Sequence, residues 1–528
     1  MWNKKTQDLN ESGVRVPDNS NPLRKNDQIQ EVHVESVRGK ARHQIVFTAV
    51  AFILLFILMT VSYCRYAVIN KRELFDNSYN TREELLEKYN RRGMIFSEDG
   101  ETLAYSDEDN KRRYPYGEDF CHAVGYSVLG GSGIEDYMKY ELLTSDISFK
   151  SRLEYDEENS LYPGNNVYTT LNTRLQQYAC EALREGDYRG AVIITEPSTG
   201  KILAMVSMPG FEPEELEQIW DYLRTDESGR AQLLNRATQG IYPPGSTFKI
   251  VDCIELLEEN PDAPADFYYN CEDGIYTFDD ESIHCFDYQH HGEQDLAGAF
   301  ANSCNSAFAE LVTKELDENK FRNTLRKLMF DQPLPYDLPC SESHSQLLEE
   351  GEISTHNLMQ VAIGQGTTGV SPMHMNMLTM AVANDGVLMR PYMVESVCTA
   401  DDSVLKKYSS RRVAALFDGS VADSLRSLMW GVTHIDSEKG VYGTASEFDS
   451  AQNYIAFGKT GTAEFGEDED SHGWFTGFTV NADEGREGEA ELCITVLIEN
   501  SGAGRDKAVP IARQILDKWY GEYSYGDY

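Results

Sequence analysis

The chain has 528 residues, too many for one small core, so two or three domains are expected. Its composition, 41% hydrophobic and 25% charged, is that of a globular protein. A formal net charge of -40 repels phosphates, which excludes nucleic acid as a partner and reads most simply as a soluble surface.

Residues 1–44 are polar and mixed in charge, with scattered Asn, Asp and Pro, and this composition predicts a disordered tail. The run from Ile45 to Cys64, "IVFTAVAFILLFILMTVSYC", has no charged residue. At about 1.5 Å per residue it is roughly 30 Å long, the thickness of a bilayer core, and it predicts a single transmembrane helix. A cleaved signal peptide fits less well, because the run is too long, starts far from Met1 and has no small-x-small pattern after it. The bulky Tyr63 argues against lipidation of Cys64. Arg38, Lys40 and Arg42 precede the span, and Arg65, Lys71 and Arg72 follow it, so charge leaves its orientation open.

Residues 65–165 form a polar stretch with strand-like pieces such as "GMIFSEDGETLAYS", and predict a small α+β N-terminal domain. A larger domain is expected over 166–528. "NNVYTTL" reads as a strand, and "NTRLQQYACEALRE" has helical spacing with Asn172 as its N-cap. "GAVIITEPSTGKILAMVS" predicts a β-hairpin, and helical segments fill the middle. "WFTGFTV" and "AELCITVLIEN" are strands, and "AVPIARQILDKWYG" is a closing amphipathic helix. Strands at both ends with helices between them predict one sheet built from the two ends of the domain.

Ten cysteines are many for an exported chain. There is no CxxC, and no set of His, Cys or carboxylate residues has ligand spacing beside the motifs below, so neither metal nor cofactor is expected. Cys271 and Cys285 bracket the hairpin-like run "CEDGIYTFDDESIHC"; they are the candidate disulfide, with two free thiols as the alternative.

The chemistry starts at "IYPPGSTFKI" (241–250). Two prolines and a glycine stop the chain, and the helical pattern of "STFKIVDCIELLEEN" opens at Ser246. Residues at i and i+3 share a helix face, so Lys249 lies beside Ser246. A serine hydroxyl needs a base to become a nucleophile, and a lysine can serve when burial or other cations lower its pKa. Two further pieces follow. Ser303 and Asn305, in "AFANSCNSAFAEL", supply a hydroxyl for proton relay and an amide to hold a substrate peptide. Lys459, Thr460, Gly461 and Thr462, in "YIAFGKTGTAEF", place a cation and two hydroxyls after an apolar strand, where they suit a carboxylate and where glycine permits close approach.

Ser-x-x-Lys, Ser-x-Asn and Lys-Thr-Gly, in that order, form the signature of penicillin-binding proteins and serine β-lactamases. The chain resembles a class B penicillin-binding protein, a peptidoglycan D,D-transpeptidase. "NRRGMIFSEDGETLA" (90–104) is similar to the family's N-terminal stretch, with Ser97-Glu98 in place of its usual Asp-Arg. "YPYGEDFCHAVGY", "GSGIEDYMKYEL", "EPSTGKILAMVSMPGFEP", "VAIGQGTTGVSPMHM" and "HGWFTGF" continue the likeness over roughly residues 65–520.

The resemblance implies a transpeptidase domain of the penicillin-binding-protein and serine β-lactamase type, an antiparallel sheet flanked by helices, on an N-terminal pedestal. It implies Ser246 as the acylated nucleophile, Lys249 as its base, Ser303 as proton shuttle and Asn305 as a holder of the substrate peptide. Lys459 would tune the proton network, and Thr460 and Thr462 would bind the terminal carboxylate. The N–H groups of Ser246 and Thr462 would form the oxyanion hole. Trp474 and Phe475 read as wall and core, Gly364 and Gly366 as turn glycines. The implied partners are stem peptides, β-lactams and a polymerase of the shape-elongation-division-sporulation family, and the implied orientation is tail inside, catalytic domain outside. A β-lactamase or β-lactam sensor fits the three motifs but not the N-terminal segments, and the intact motifs argue against a non-catalytic scaffold. The stretch ahead of the catalytic region is too short for a glycosyltransferase domain.

Overall fold

The computed structural model describes residues 22–69, 82–158, 160–226, 228–436, 441–464 and 470–523. They belong to two units, Met1–Arg82 and Glu83–Tyr528. In the first, one helix runs Pro22–Ile69, with proline in its first turn where a missing N–H costs nothing. Within it, Gly39–Tyr66 is long and apolar enough to cross a membrane, and its apolar window is wholly unburied. The expected span 45–64 lies inside that segment. Residues 22–44 continue the helix, where polarity alone suggested an unstructured tail; their Gln, Glu, Lys and Arg are good helix formers and propagate a helix already nucleated. Residues 1–21, and Lys71 and Arg72, lie outside the described residues.

In the second unit, "GAVIIT" and "ILAMVSM" form the antiparallel strands Gly190–Thr195 and Ile202–Met208, every residue of them buried. The chain's last strands, Tyr454–Ala463, His472–Asn481 and Ala490–Ile498, join them edge to edge in one five-stranded sheet. The two ends of the domain thus share a sheet, as the sequence pattern predicts. Thr476 and Thr479 are an odd number of residues apart, so they point to opposite faces. The Thr476 hydroxyl is 2.7 Å from that of Thr379 in the helix Pro372–Ala383, and the Thr479 hydroxyl is 2.8 Å from that of Tyr520 in the closing helix Ala508–Tyr523. Helices therefore cover both faces.

Every residue of Pro372–Ala383 is buried. Its polar members are satisfied in the interior, because Asn376 accepts from the Thr195 hydroxyl at 2.9 Å and donates to Thr495 at 3.3 Å. The helix Thr173–Glu185 begins at Asn172, whose side chain accepts from the N–H groups of Arg174 and Leu175.

A second sheet has six strands, in the order Val404–Lys407, Val394–Cys398, Asn166–Thr169, Ile95–Phe96, Thr102–Ser106 and Arg112–Arg113. Beside it sits a buried ion triad. Arg92 and Arg112 each donate to the Glu135 carboxylate at 2.6 Å, and Glu135 is fully buried. Burial alone would push that carboxyl up, but the two guanidinium groups outweigh it and hold it below the usual carboxylate range.

Candidate active site

The site is assembled where the segment 241–250 meets the edge of the five-stranded sheet. Ser246 lies on a short 3-10 turn, Gly245–Phe248, that leads into the α-helix Lys249–Glu259, so it sits just ahead of the α-helix. Gly245 has φ +52°, a left-handed conformation that glycine adopts freely. A Cβ there would stand 2.4 Å from the Thr462 carbonyl oxygen. A Cβ on Gly461 would stand 2.9 Å from the Pro244 carbonyl oxygen. The glycine of the Lys-Thr-Gly motif thus lets the strand Tyr454–Ala463 lie directly against the turn that carries Ser246. Gly364, at φ +65°, accepts the Gly245 N–H at 2.9 Å, and Trp474 donates its ring N–H to Pro243 O at 3.0 Å. Trp474 and Phe475 are both buried, and neither lines the cavity described below.

The three motifs meet through two buried amines that share one hydroxyl. Lys249 Nζ is 2.9 Å from Ser246 Oγ, 2.8 Å from Asn305 Oδ1, 2.7 Å from Ser303 O and 3.3 Å from Ser303 Oγ. Lys459 Nζ reaches the same Ser303 hydroxyl at 2.9 Å and Thr460 O at 3.0 Å. Ser303 therefore bridges the two lysines. It occupies the turn between the helices Leu296–Ala301 and Asn305–Glu310 with φ +56°, unusual for a residue with a side chain and costing about 1–2 kcal/mol. Such strain persists where the surroundings enforce it, as they do here through two buried lysine amines that both contact its hydroxyl.

Both lysines are completely buried. Each has an aromatic ring beside it, Phe308 at 5.2 Å from Lys249 and Phe300 at 5.5 Å from Lys459. Burial pushes the Lys249 amine down to about 8. Burial, and then the charge of Lys249, lowers Lys459 well below the usual lysine range. With Lys249 in the expected role of base, it acts as a free amine, and acylation is then expected to rise about tenfold per pH unit below pH 8 and to flatten above it. Second-order acylation rates from pH 5.5 to 9.5 check this; a flat profile would remove Lys249 from the role of base.

Ser246, Ser303, Asn305, Thr460 and Thr462 all line one cavity of about 320 Å³. The exposed Glu464 is at its rim. Sequence reasoning missed four other contributors. Thr444 places its hydroxyl 2.7 Å from that of Thr460, and Arg505, in the 3-10 turn Gly504–Asp506, and His284, at the end of the strand Glu281–His284, line the cavity from segments far apart in the chain. Asp252, one turn beyond Lys249, is fully buried with neither oxygen partnered, and burial pushes its carboxyl well above the usual range. Only Asp252 had a local signal, its i+3 spacing from Lys249.

Of the two readings of Cys271 and Cys285, the structure has the free thiols, while the expected lack of a ligand set beside the motifs needs correction. Cys271 and Cys285 are unbonded, with sulfurs 3.9 Å apart. They also have company, because Cys271, Cys285, His291 and Cys304 bring their ligand atoms within 4.8 Å of one another beside the Ser-x-Asn motif. The expectation that no ligand set lies beside the motifs fails because strand pairing, not sequence spacing, assembles this one.

Comparison with known proteins agrees with this geometry. The family described as penicillin binding protein transpeptidase domain matches residues 190–517. A peptidoglycan D,D-transpeptidase PbpA of Mycolicibacterium smegmatis is 30% identical over 499 residues, covering 89% of this chain and 97% of the relative. Penicillin-binding protein A from M. tuberculosis, as its ceftriaxone acyl-enzyme complex, superimposes with a TM-score of 0.71 at 27% identity, covering 82% of this chain and 98% of that one. The D,D-transpeptidase domain of a peptidoglycan glycosyltransferase from Eggerthella lenta gives 0.70 at 26% identity, with 82% and 99% covered. With its three motifs gathered around the Ser303 hydroxyl, which bridges the two buried lysines, and these relatives beside it, the chain belongs to the penicillin-binding protein transpeptidases, as a class B member and a serine acyl-transfer enzyme.

Proposed function

We propose that the chain cross-links peptidoglycan stem peptides through an acyl-enzyme on Ser246. The observation that carries this reading is Lys249 Nζ, a buried amine 2.9 Å from Ser246 Oγ that also contacts the Ser-x-Asn motif. The neutral amine takes the Ser246 proton as Oγ attacks the carbonyl of the D-Ala–D-Ala amide. The N–H groups of Ser246 and Thr462 receive the developing oxyanion. The carbon–nitrogen bond breaks, and the departing D-Ala amine receives a proton through Ser303, whose hydroxyl lies between Lys249 and Lys459. An amine from a neighbouring stem then takes the acyl group and frees Ser246. Thr460, Thr462 and Arg505 present hydroxyls and a cation to the terminal carboxylate from the cavity wall.

The test is product analysis of the full-length chain in detergent with lipid-linked substrate. Cross-linked dimer with release of D-Ala is expected; D-Ala release without dimer would make the enzyme a carboxypeptidase.

The substrate supports an orientation with residues after the span outside the membrane, which protease access to sealed vesicles checks. The family likeness supports a polymerase of the shape-elongation-division-sporulation class as partner, engaging the span and residues 65–165, of which 70–81 and 159 lie outside the described residues. Co-purification from membranes that survives deletion of 83–165 would count against that interface.

A further inference from the structure

Thr460, Thr462 and Glu464 alternate along the chain and all line the cavity, so they form one row on the face of the strand Tyr454–Ala463 and of the residue that follows it. Burial falls along this row. Thr460 is buried, Thr462 half-buried and Glu464 exposed. Thr444 closes the Thr460 end, with its hydroxyl 2.7 Å from that of Thr460. The Glu464 end is open. A peptide whose C-terminal carboxylate is held by Thr460, Thr462 and Arg505 has its terminus at the closed end, so the rest of it must leave by the open one. With the attacked carbonyl at the N–H groups of Ser246 and Thr462, the residue before the acylated one is carried towards Glu464. Tyr454–Ala463 is also the outermost strand of its five-stranded sheet, so its free edge can pair with an extended peptide and hold that register.

The charge at that end is specific. Among the described residues that line the cavity, Glu464 is the one carboxylate. Other charged groups nearby are engaged. Glu281, on the strand Glu281–His284, faces the cavity residue His356 at 3.3 Å, and Arg505 lies 3.6 Å from Asp506. Glu464 has no cation paired with it among the described residues. The polar groups that line the rest of the wall, such as Ser282, Gln289 and Gln360, are neutral and serve a charged or an uncharged side chain alike. An unpaired carboxylate beside the exit path of a bound peptide favours a cation there and repels an anion.

We propose that Glu464 is a specificity residue for the donor peptide: it selects stems whose residue before D-Ala–D-Ala carries a positively charged side chain, and disfavours those in which that side chain is neutral or acidic. The substrate class is thus a peptide with a free basic side chain at the third position from its C-terminus. This inference rests on the reading of Ser246 as the residue acylated by such peptides. Glu464 moves no proton and touches no reacting atom; it acts on which donor enters, through one ion pair at the open end of the row.

The test compares two donors that differ only in that charge, acetyl-Lys-D-Ala-D-Ala and its Nε-acetylated form, on the full-length chain in detergent, with D-Ala release as the readout. The wild-type chain is expected to favour the free amine by about fivefold in kcat/KM, the size of a well-placed pair at a solvent-exposed rim. E464Q should bring that preference below about twofold, and E464K should favour an Nε-succinyl donor, which carries a carboxylate instead. Each preference is a ratio measured within one preparation, so loss of folded protein in a variant cancels. A second measurement needs no variant: raising the salt concentration to about 1 M should shrink the wild-type preference, because a rim pair is screened. Equal release from both donors by the wild-type chain would sink this inference and leave the assignment of Ser246 standing. So would a preference that E464Q or salt leaves untouched. Release from neither donor would sink the D,D-transpeptidase reading and this inference with it.

Discussion

A chain carrying Ser246→Ala gains no mass when mixed with a penicillin, whereas the unaltered chain gains one drug molecule on the peptide that contains Ser246. This is the expected result because a β-lactam offers a strained amide and a carboxylate to the same cavity that holds Ser246, Thr460 and Thr462. The ring opens, but its nitrogen stays tethered, so no amine enters as it does after D-Ala leaves. Hydrolysis would need a base aimed at water. Glu464 is exposed at the rim, and the buried amines are already engaged with Ser303 and Asn305, so the adduct is expected to persist. Lys249→Met should slow acylation by about 10⁴-fold or more, because members of one catalytic unit fail together. Intact-mass kinetics read both effects. Rapid drug turnover without a stable adduct would mark a β-lactamase, and neither adduct nor turnover would mark a scaffold.

Glu135→Ala is expected to destabilise the extramembrane unit by about 3–5 kcal/mol, since it leaves the Arg92 and Arg112 guanidinium groups buried without a counter-charge. The affected segments are the two N-terminal stretches that resemble the family, and the triad explains why "NRRG" and "GSGIED" occur together: each supplies part of one buried charge network. The check is the shift in urea midpoint of the full-length chain in detergent, with Glu154→Ala as a control. Among the described residues Glu154 pairs with Lys150 across 3.9 Å of exposed surface, so its loss should leave the midpoint unchanged. Equal midpoints for Glu135→Ala and the control would mean the triad contributes nothing.

Features made by residues near each other in the chain were legible in the sequence by itself. The charge-free run 45–64, the hairpin around Pro197–Gly200, the Asn172 cap and the Ser246–Lys249 pair each follow from a fixed local period, so the pattern names the element. The order of the three motifs, read as a family likeness, carried the enzyme class as well. What the tertiary structure decided is of another kind. Lys249 and Lys459 are ordinary letters until full burial lowers both amines below the usual lysine range. "PMHMNMLTMAVA" has no polar face to mark it as a central helix, because its Asn376 and Thr379 are satisfied by strands far along the chain. Cys271, Cys285, His291 and Cys304 follow no ligand spacing, and they meet only because two strand registers and one left-handed turn bring them to a point. Local periodicity is written residue by residue, whereas burial and convergence depend on which distant segments pair, and only the folded chain specifies that.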